Sequence, residues 1–226
     1  MGEPFQPRQD ARPDDVAWPE LSWPMDPAIE LRGRVVTLTG VRDPERDARE
    51  LYEALDDDRV WRHVAGRPAD IPALAGRLED ALVPGPSFPW IVRLATPYRG
   101  LPEGTVVGQT SYLDVSVPDA RLEIGSTLYR HDVWASAVNP ETKLLLLENA
   151  FDRLGAGRVQ LKTDIRNERS QRAIDRLGAR YEGVLRRYQR RAEGTVRDTV
   201  LFSIVAEEWP DVRRGLNERL RSASDR

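Results

Sequence analysis

The sequence predicts a mixed α/β (α+β) domain, in which a central, mostly antiparallel sheet of about seven strands is flanked by helices. Three observations lead to this prediction. Residues 140–154 are apolar around nearly the whole circumference of a helix, which is typical of a buried helix. Several other stretches alternate apolar and polar residues, as strands with one buried face do. Four such stretches precede the buried helix; after it come a strand, a helix and two more strands.

The length and composition fit one domain with extensions. The chain has 226 residues, of which 40% are hydrophobic, enough for a sizeable core. We expect a proline-rich N-terminal extension at residues 1–29, the α/β domain at 30–207, and a C-terminal helix and tail at 208–226. The first half of the N-terminal extension is expected to be disordered. Its second half carries apolar residues that are candidates to dock on the domain: Trp18, Leu21, Trp23 and Met25.

The charge and residue usage argue against several classes of function. A net charge of -3 and a pI near 5.6 do not suit nucleic-acid binding. The absence of cysteine excludes disulfides, zinc–thiolate sites and an acyl-cysteine intermediate, and the two histidines make a His-rich metal site implausible. No apolar run approaches membrane-spanning length, and the N-terminus lacks a signal-peptide core. We therefore expect a cytoplasmic monomer or homodimer with no metal, nucleic-acid or membrane partner.

The strands are predicted from alternating patterns bounded by turn residues. Val159, Leu161 and Thr163, for example, alternate with polar residues. Gly108 is expected to mark a bulge in a long strand. The predicted strands are residues 31–41, 88–95, 105–117, 121–129, 158–164, 180–189 and 195–205.

The helices are predicted from apolar residues at helical spacing and from their end signals. Asp43 suits the N-cap of the first helix, with Pro44 at its first position. Gly155 ends the buried helix, and Asn167 starts the helix that follows the next strand. The predicted helices are residues 45–55, 57–64, 70–83, 140–154, 167–178 and 209–220.

The segment 134–181 combines the buried helix, a strand and a helix that contains the pattern N-x-x-S-x-x-x-I-x-R-L-G-A. In order and spacing, it resembles the second half of the GCN5-related N-acetyltransferase (GNAT) fold. The closest likeness is to the branch that includes the ribosomal-protein N-terminal acetyltransferases, and the resemblance covers roughly residues 31–207. The matching residues are Asn139, Pro140, Glu141, Lys143, Asn167, Ser170, Ile174, Leu177, Gly178 and Ala179.

The resemblance implies acetyl-CoA as cosubstrate, with its pyrophosphate at the N-terminus of the buried helix, where free N–H groups favour anions. GNAT proteins normally have a Gln/Arg-x-x-Gly-x-Gly/Ala loop there, but the corresponding loop here, WASAVNPETK, has no glycine. Ser136 and Ala137 are small enough to let phosphates approach the backbone, and Lys143 can offset their charge. Asn139 can belong to this cofactor site, and it can also cap the helix with Pro140 at the first position; the two roles are compatible.

The resemblance also places the pantetheine arm along the strand before the buried helix. Asn167 and Ser170 match residues that approach the pantetheine arm and the thioester in relatives. The alternative is that Asn167 is only a helix N-cap and Ser170 its third position. The strand residues implied in the pantetheine track are Ile124, Gly125, Ser126, Thr127 and Leu128.

The proton-transfer residues are the least determined part of the predicted site. Glu123, beside the expected thioester, is the first candidate for the base that deprotonates the amine, and His131 is the second. Ser170 can meet the developing thiolate. Tyr181 and Tyr188 are candidates to protonate the thiolate, or else they pack against the core.

The leading hypothesis is an acetyl-CoA-dependent N-acetyltransferase in which a primary amine attacks the thioester directly. The acceptor is either a protein N-terminus or a small molecule such as an antibiotic or metabolite. In the resembled family, the paired helices near the N-terminus lie beside the acceptor groove, so Trp61, His63 and Arg67 either face substrate or serve packing and surface roles. The alternative function is a catalytically silent acyl-CoA-binding or regulatory domain, which the missing glycine loop keeps open.

Overall fold

The computed structural model of the protein describes residues 6–7, 9–10 and 17–224. Its strands are β1 (Glu30–Arg32), β2 (Val36–Thr39), β3 (Phe88–Leu94), β4 (Val106–Ser116), β5 (Arg121–Tyr129), β6 (Arg158–Asp164), β7 (Arg180–Arg190) and β8 (Val196–Val205). Its α-helices are α1 (Pro44–Leu55), α2 (Asp58–Trp61), α3 (Ile71–Asp80), α4 (Val138–Glu148), α5 (Glu168–Asp175) and α6 (Trp209–Ser224).

The strands form one sheet in the order β1-β2-β3-β4-β5-β6-β8-β7. Every neighbouring pair is antiparallel except β5 and β6, which are parallel. The parallel pair is the one joined through α4, as a parallel connection requires a crossover. This architecture confirms the predicted class of a mixed, mostly antiparallel sheet flanked by helices.

The core lies on both faces of the sheet. Successive strand residues point to opposite faces, so Trp90 and Val92 of β3 pack on one side while Ile91 packs on the other. The larger cluster holds α4 and α6 against the sheet, and the smaller cluster holds α1 and α3. The near-complete burial of α4 confirms that it is the central helix.

The predicted first strand, residues 31–41, is a hairpin of two short strands, β1 and β2. The prediction of one strand was wrong because a carboxylate from α4 holds the turn. The Glu141 oxygens accept the backbone N–H groups of Arg34, Val35 and Val36 at 2.9, 2.6 and 2.7 Å. Gly33 makes room for that carboxylate, since a Cβ there would collide with it.

The start of the buried helix also differs from the prediction. α4 begins at Val138 with Ala137 as its N-cap residue, so Asn139 lies inside the first turn and the N-cap prediction for it was wrong. The helix continues into a π-helical turn, Asn149–Arg153. The caps predicted at Asp43 and Asn167 are confirmed, because their side chains accept the backbone N–H groups of Arg46 and Ser170.

The second half of the N-terminal extension runs against the domain. Leu21 and Met25 are buried in the larger core cluster, and the indole N–H of Trp23 donates to the Gly85 carbonyl at 2.9 Å. Trp18, in contrast, is 63% exposed. The disorder expected for the first half concerns residues that lie mostly outside the described ranges. Among the described helices, none is both long and apolar enough to cross a membrane.

Candidate active site

The two parallel strands at the centre of the sheet diverge. β5 and β6 pair only at Arg121–Glu123 opposite Arg158–Gln160, although both strands continue beyond this point. From Ile124 onward, the edge of β5 that faces β6 has no partner strand. A cavity of about 780 Å³ occupies the gap between the strands and extends to α4 and α5. This volume lies within the range of small-molecule and cofactor sites.

A bulge in β5 lies at the middle of this cavity. On β4, Gln109 pairs with Leu128 and Ser111 with Gly125, so β5 has one residue more than β4 over this stretch. Ser126 takes a positive φ of 48° there and is exposed. A second irregularity, between β3 and β4, lies next to Gly108, as predicted. Bulges re-aim side chains and backbone groups beside binding sites.

The residues predicted for the pantetheine track all reach the cavity. The lining includes every member of that set, which is Ile124, Gly125, Ser126, Thr127 and Leu128. Asn167 and Ser170 lie across the cavity on α5. Asn167 also caps α5 through its side-chain oxygen, 3.1 Å from the backbone nitrogen of Ser170, so both readings of this residue are compatible.

The loop before α4 supplies the third wall. Ser136 and Asn139 line the cavity, whereas Ala137 does not. The Ser136 hydroxyl donates to the Val133 carbonyl at 2.5 Å and accepts the Val138 N–H at 3.2 Å, so it shapes the turn into the helix. The first N–H groups of α4 face this loop, as at any helix start.

Lys143 lies on the second turn of α4, and its ammonium group contacts β5. Its Nζ donates to the Thr127 hydroxyl at 2.7 Å, and Thr127 shares a hydrogen bond of 2.8 Å with Thr110. The lysine is 5% exposed, and burial lowers its pKa to about 7. The side chain is therefore held at the middle of β5, where burial disfavours its protonated, charged form.

Glu123 marks the point where β5 and β6 separate, and it is paired. Its carboxylate lies 2.7 Å from Nζ of Lys162, which also contacts Asp114 and the Tyr188 hydroxyl at 3.0 Å each. Burial raises the pKa of the Glu123 carboxyl, and the Lys162 ammonium opposes that rise. Burial alone would lower the pKa of Lys162, but its hydrogen bonds and carboxylate neighbours raise it overall. Glu123 thus lines the cavity as a buried carboxylate beside a cation.

A second cavity, of about 210 Å³, lies between the sheet and the helices α1–α3. Its walls are mostly apolar, with Leu51, Leu55 and Trp61 among them. The two cavities share Val64, Ala65, Ser126 and Leu128 in their linings, so they meet between the β5 bulge and the segment that follows α2. Two ligands, one in each cavity, would therefore come into contact at this point.

The family of the chain follows from comparison with known proteins. Residues 36–180, more than half of the chain, match the family model described as an acetyltransferase (GNAT) domain. The chain belongs to the GNAT acetyltransferase family. The match confirms the superfamily and the class of acetyl-CoA-dependent acetyltransferases that the sequence predicted.

Individual GNAT relatives agree with this result. The uncharacterized N-acetyltransferase p20 of Bacillus licheniformis is 28% identical over 104 residues, which are 46% of this chain and 57% of p20, so the match spans little more than half of that relative. A structure from T. thermophilus, assigned as an acetyltransferase, is 35% identical with a TM-score of 0.72 and covers 88% of this chain and 100% of its own.

The fold of the ribosomal-protein branch is also shared. Mycobacterium smegmatis RimJ, in complex with CoA-disulfide, is 22% identical with a TM-score of 0.70 and covers 92% of this chain and 95% of its own. Ribosomal-protein acetyltransferases from two Vibrio species have the same fold. Because these three proteins are 22%, 17% and 16% identical to the chain, the likeness is one of fold.

Several residues predicted for the GNAT site are placed elsewhere. Tyr181 is 58% exposed on the outermost strand, where its ring packs edge-on against Phe202, and it does not line the cavity. It lies near the start of β7, whereas the residues of β7 that reach the cavity, Gln189 and Arg190, lie at the other end of that strand. His131 packs against Trp134 and also lies outside the lining.

His63, in contrast, lines the larger cavity, and burial lowers its pKa.

The acceptor-side candidates divide between the two cavities. Trp61 and Arg67 line the smaller one. The Trp61 indole donates to the Leu55 carbonyl at 2.8 Å, and Arg67 pairs with Asp56 and Asp58. Both side chains are therefore anchored, and each still presents one face to the small cavity.

Sequence reasoning missed several polar residues of the larger cavity. Lys162 alternates with the buried residues of β6, a pattern that predicts a solvated side chain, yet it pairs with Glu123. Arg169 lies over the Trp134 ring, 3.4 Å from its centroid. Arg176 and Arg219 reach the same cavity from α5 and α6. No local pattern singles out these residues from the many arginines of the chain.

Proposed function

We propose that the protein is an acetyl-CoA-dependent N-acetyltransferase in which a primary amine attacks the thioester carbonyl directly. The observation that carries this proposal is the meeting of two cavities at the β5 bulge. One follows the open edge of β5, and the other is a small apolar pocket that also reaches Ser126. This geometry lets two substrates reach one point, each through its own cavity.

Acetyl-CoA fits the larger cavity by its chemistry. The pantetheine arm contains two amides, which can pair with the open backbone edge of β5 in the manner of an added strand. The start of α4 offers N–H groups and the positive end of the helix dipole to the pyrophosphate. The small side chains at Ala135 and Ser136 keep this approach open without the usual glycines. RimJ, which has the same fold, was crystallised with a disulfide of CoA.

The proposed reaction needs one proton acceptor and one site for developing negative charge. Glu123, buried at the fork of β5 and β6, takes the proton from the attacking amine, directly or through water. Backbone N–H groups around the Ser126 bulge donate to the carbonyl oxygen as it becomes negative. Ser170 donates to the departing thiolate from α5. Lys162 favours the charged form of Glu123, against the burial that raises the pKa of this carboxyl.

The small cavity favours an acceptor with one amine and an apolar group. Its lining is mainly apolar, and its only carboxylate among the described residues is Asp56, opposed by Arg67 and Arg77. A polycationic amine, such as an aminoglycoside, would meet two guanidinium groups and one acid there. Both a protein N-terminus with a small apolar first residue and an apolar metabolite amine satisfy this requirement.

The test combines binding and turnover. Acetyl-CoA should raise the melting temperature, because it binds only the folded state. Release of CoA is then measured with phenylalanine amide, benzylamine, short peptides with an alanine N-terminus, and spermidine. We expect turnover with the monoamines and little with spermidine. An unchanged melting temperature would overturn the proposal, and binding without turnover on any amine would instead identify a silent acyl-CoA-binding domain.

A further inference from the structure

The C-terminal helix contributes a residue to the larger cavity. α6 lies beyond the matched domain, which ends at residue 180. Its buried residues Trp209, Val212 and Leu216 pack on the core, and Arg219 follows Leu216 by one helical turn, next to this buried stripe. Arg219 therefore leans toward the domain and lines the cavity.

Arg219 lies next to a second arginine of the same cavity. Its Nη1 donates to the Arg176 backbone carbonyl at 3.4 Å, and both residues line the cavity wall. Burial lowers the pKa of the Arg219 guanidinium, and the charge of Arg176 lowers it further. Two like charges are thus held side by side at one end of the site.

Neither guanidinium is neutralised by the part of the chain that the structure describes. No carboxylate there forms an ion pair with Arg176 or Arg219. Two other arginines of the same helix differ, because Arg213 pairs with Glu148 and Asp152, and Arg214 pairs with Asp211. A pair of cations without an ion-pair partner on a cavity wall is suited to bind an anion of high charge density.

The position of the pair fits the far end of coenzyme A. At 1.5 Å per helical residue, Arg176 lies about 13 Å along α5 from Asn167, which lines the cavity across from the pantetheine track. The start of α4, where the pyrophosphate is placed, forms another part of the same lining. Beyond its pyrophosphate, coenzyme A carries one more anionic group, the 3′-phosphate of its ribose.

We propose that Arg176 and Arg219 together bind the 3′-phosphate of coenzyme A, so that the C-terminal helix completes the cofactor site. This inference rests on the proposed function, in that coenzyme A occupies the larger cavity. Guanidinium groups bind phosphate through short, charge-assisted and often bidentate hydrogen bonds. Contact with the phosphate also relieves the repulsion between the two arginines.

The experiment compares coenzyme A with 3′-dephospho-coenzyme A by titration calorimetry. The wild-type protein should bind coenzyme A about tenfold more tightly or better, as charged hydrogen bonds typically give. Arg219→Gln and Arg176→Gln should each reduce this preference severalfold through weaker binding of coenzyme A. Binding of the dephospho compound should stay unchanged. The control, Arg214→Gln on the outer face of α6, should keep the wild-type preference.

The outcomes separate this inference from the proposed function. Equal binding of the two compounds by the wild type, or an undiminished preference in both variants, would overturn the inference and leave acetyl-CoA binding intact. Failure of the wild type to bind either compound would overturn both proposals. Melting curves of the variants show that they are folded, and a matching loss of affinity for both compounds would assign the arginines to packing and overturn the inference.

Discussion

The Lys162 ammonium lies 2.7 Å from the Glu123 carboxylate, and each of the two side chains is only 8% exposed. The pair joins β5 and β6 at the last point where the two strands are hydrogen-bonded. A buried pair of this kind keeps a carboxylate ionised inside a cavity, whereas removing one partner leaves the other uncompensated. The point where β5 and β6 separate therefore also holds this buried pair of opposite charges.

Replacing Glu123 with Gln should slow acetyl transfer about 10²- to 10⁴-fold, the usual contribution of a general base. Affinity for acetyl-CoA should change little, because the amide keeps the shape of the carboxylate. Burial raises the pKa of the Glu123 carboxyl. The wild-type rate should therefore fall as the pH drops through that raised pKa, and this dependence should be absent in the variant. Steady-state rates against pH measure both effects.

The matched control is Asp114→Asn, because Asp114 also pairs with Lys162 but is more exposed. This variant keeps the Glu123 carboxylate and should retain most of the wild-type rate. If Glu123→Gln instead turns over like the wild type at every pH, the carboxylate is structural, and proton transfer must run through water or another group.

Lys143 should make stability depend on pH between about 7 and 10.5. Folding lowers its pKa from 10.5 to about 7, so in this window the unfolded chain holds more protons than the folded chain. Burying the charged Lys143 side chain therefore destabilises the folded protein. This cost is fully present below pH 7, falls as the pH rises, and is absent above pH 10.5. The wild type should therefore gain on the order of 2 to 3 kcal/mol of stability between pH 7 and 9.5, and Lys143→Met should lack this gain.

Urea unfolding of both proteins at the two pH values measures this difference. Lys162→Met provides the contrast, since folding raises the pKa of Lys162 above 10.5. The stabilisation from Lys162 is fully present below that unfolded value, so its loss should be nearly constant from pH 7 to 9.5. A constant difference for Lys143→Met as well would show that Lys143 titrates normally in the folded protein.

Glu141→Gln should destabilise the protein by about 2 kcal/mol or more. The carboxylate accepts three backbone N–H groups of the β1–β2 turn, and an amide would turn an NH₂ group toward at least one of these donors. The control is Glu148→Gln on the same helix, whose ion pair with Arg213 is partly exposed and is worth at most about 1 kcal/mol. Equal urea midpoints for the two variants would contradict this role of Glu141.

Leu21→Ala should cost about 2 to 4 kcal/mol, the usual loss for a buried leucine. Leu21 lies in the larger core cluster, and the neighbouring Ser22 N–H donates to the Leu154 carbonyl at 2.8 Å. Trp18→Ala, three residues earlier in the extension, should change stability by less than about 0.5 kcal/mol because Trp18 is exposed. If denaturation midpoints are unaffected by Leu21→Ala, residues 17–29 do not contribute to the core.

The sequence by itself determined most of the local elements, although not the β1–β2 hairpin or the start of α4. The predicted bounds of β5 and β6 agree with the structure at both ends, because alternation records which side of a strand is buried. The caps at Asp43 and Asn167 were also readable, since a capping side chain bonds within three residues. The motif around Asn167 and Ser170 pointed to the correct family and to two residues that line the cavity.

The tertiary structure alone decided which distant groups meet. Glu141 holds a turn more than one hundred residues earlier in the chain, Lys162 pairs with Glu123 across the fork, and Arg219 joins the cavity from the last helix. Tyr181 and its two neighbours are all exposed, because their strand lies at the edge of the sheet. Periodicity reports only that a residue faces in or out. Which partner it meets depends on strand order and on helix packing, which arise from contacts between segments far apart in sequence.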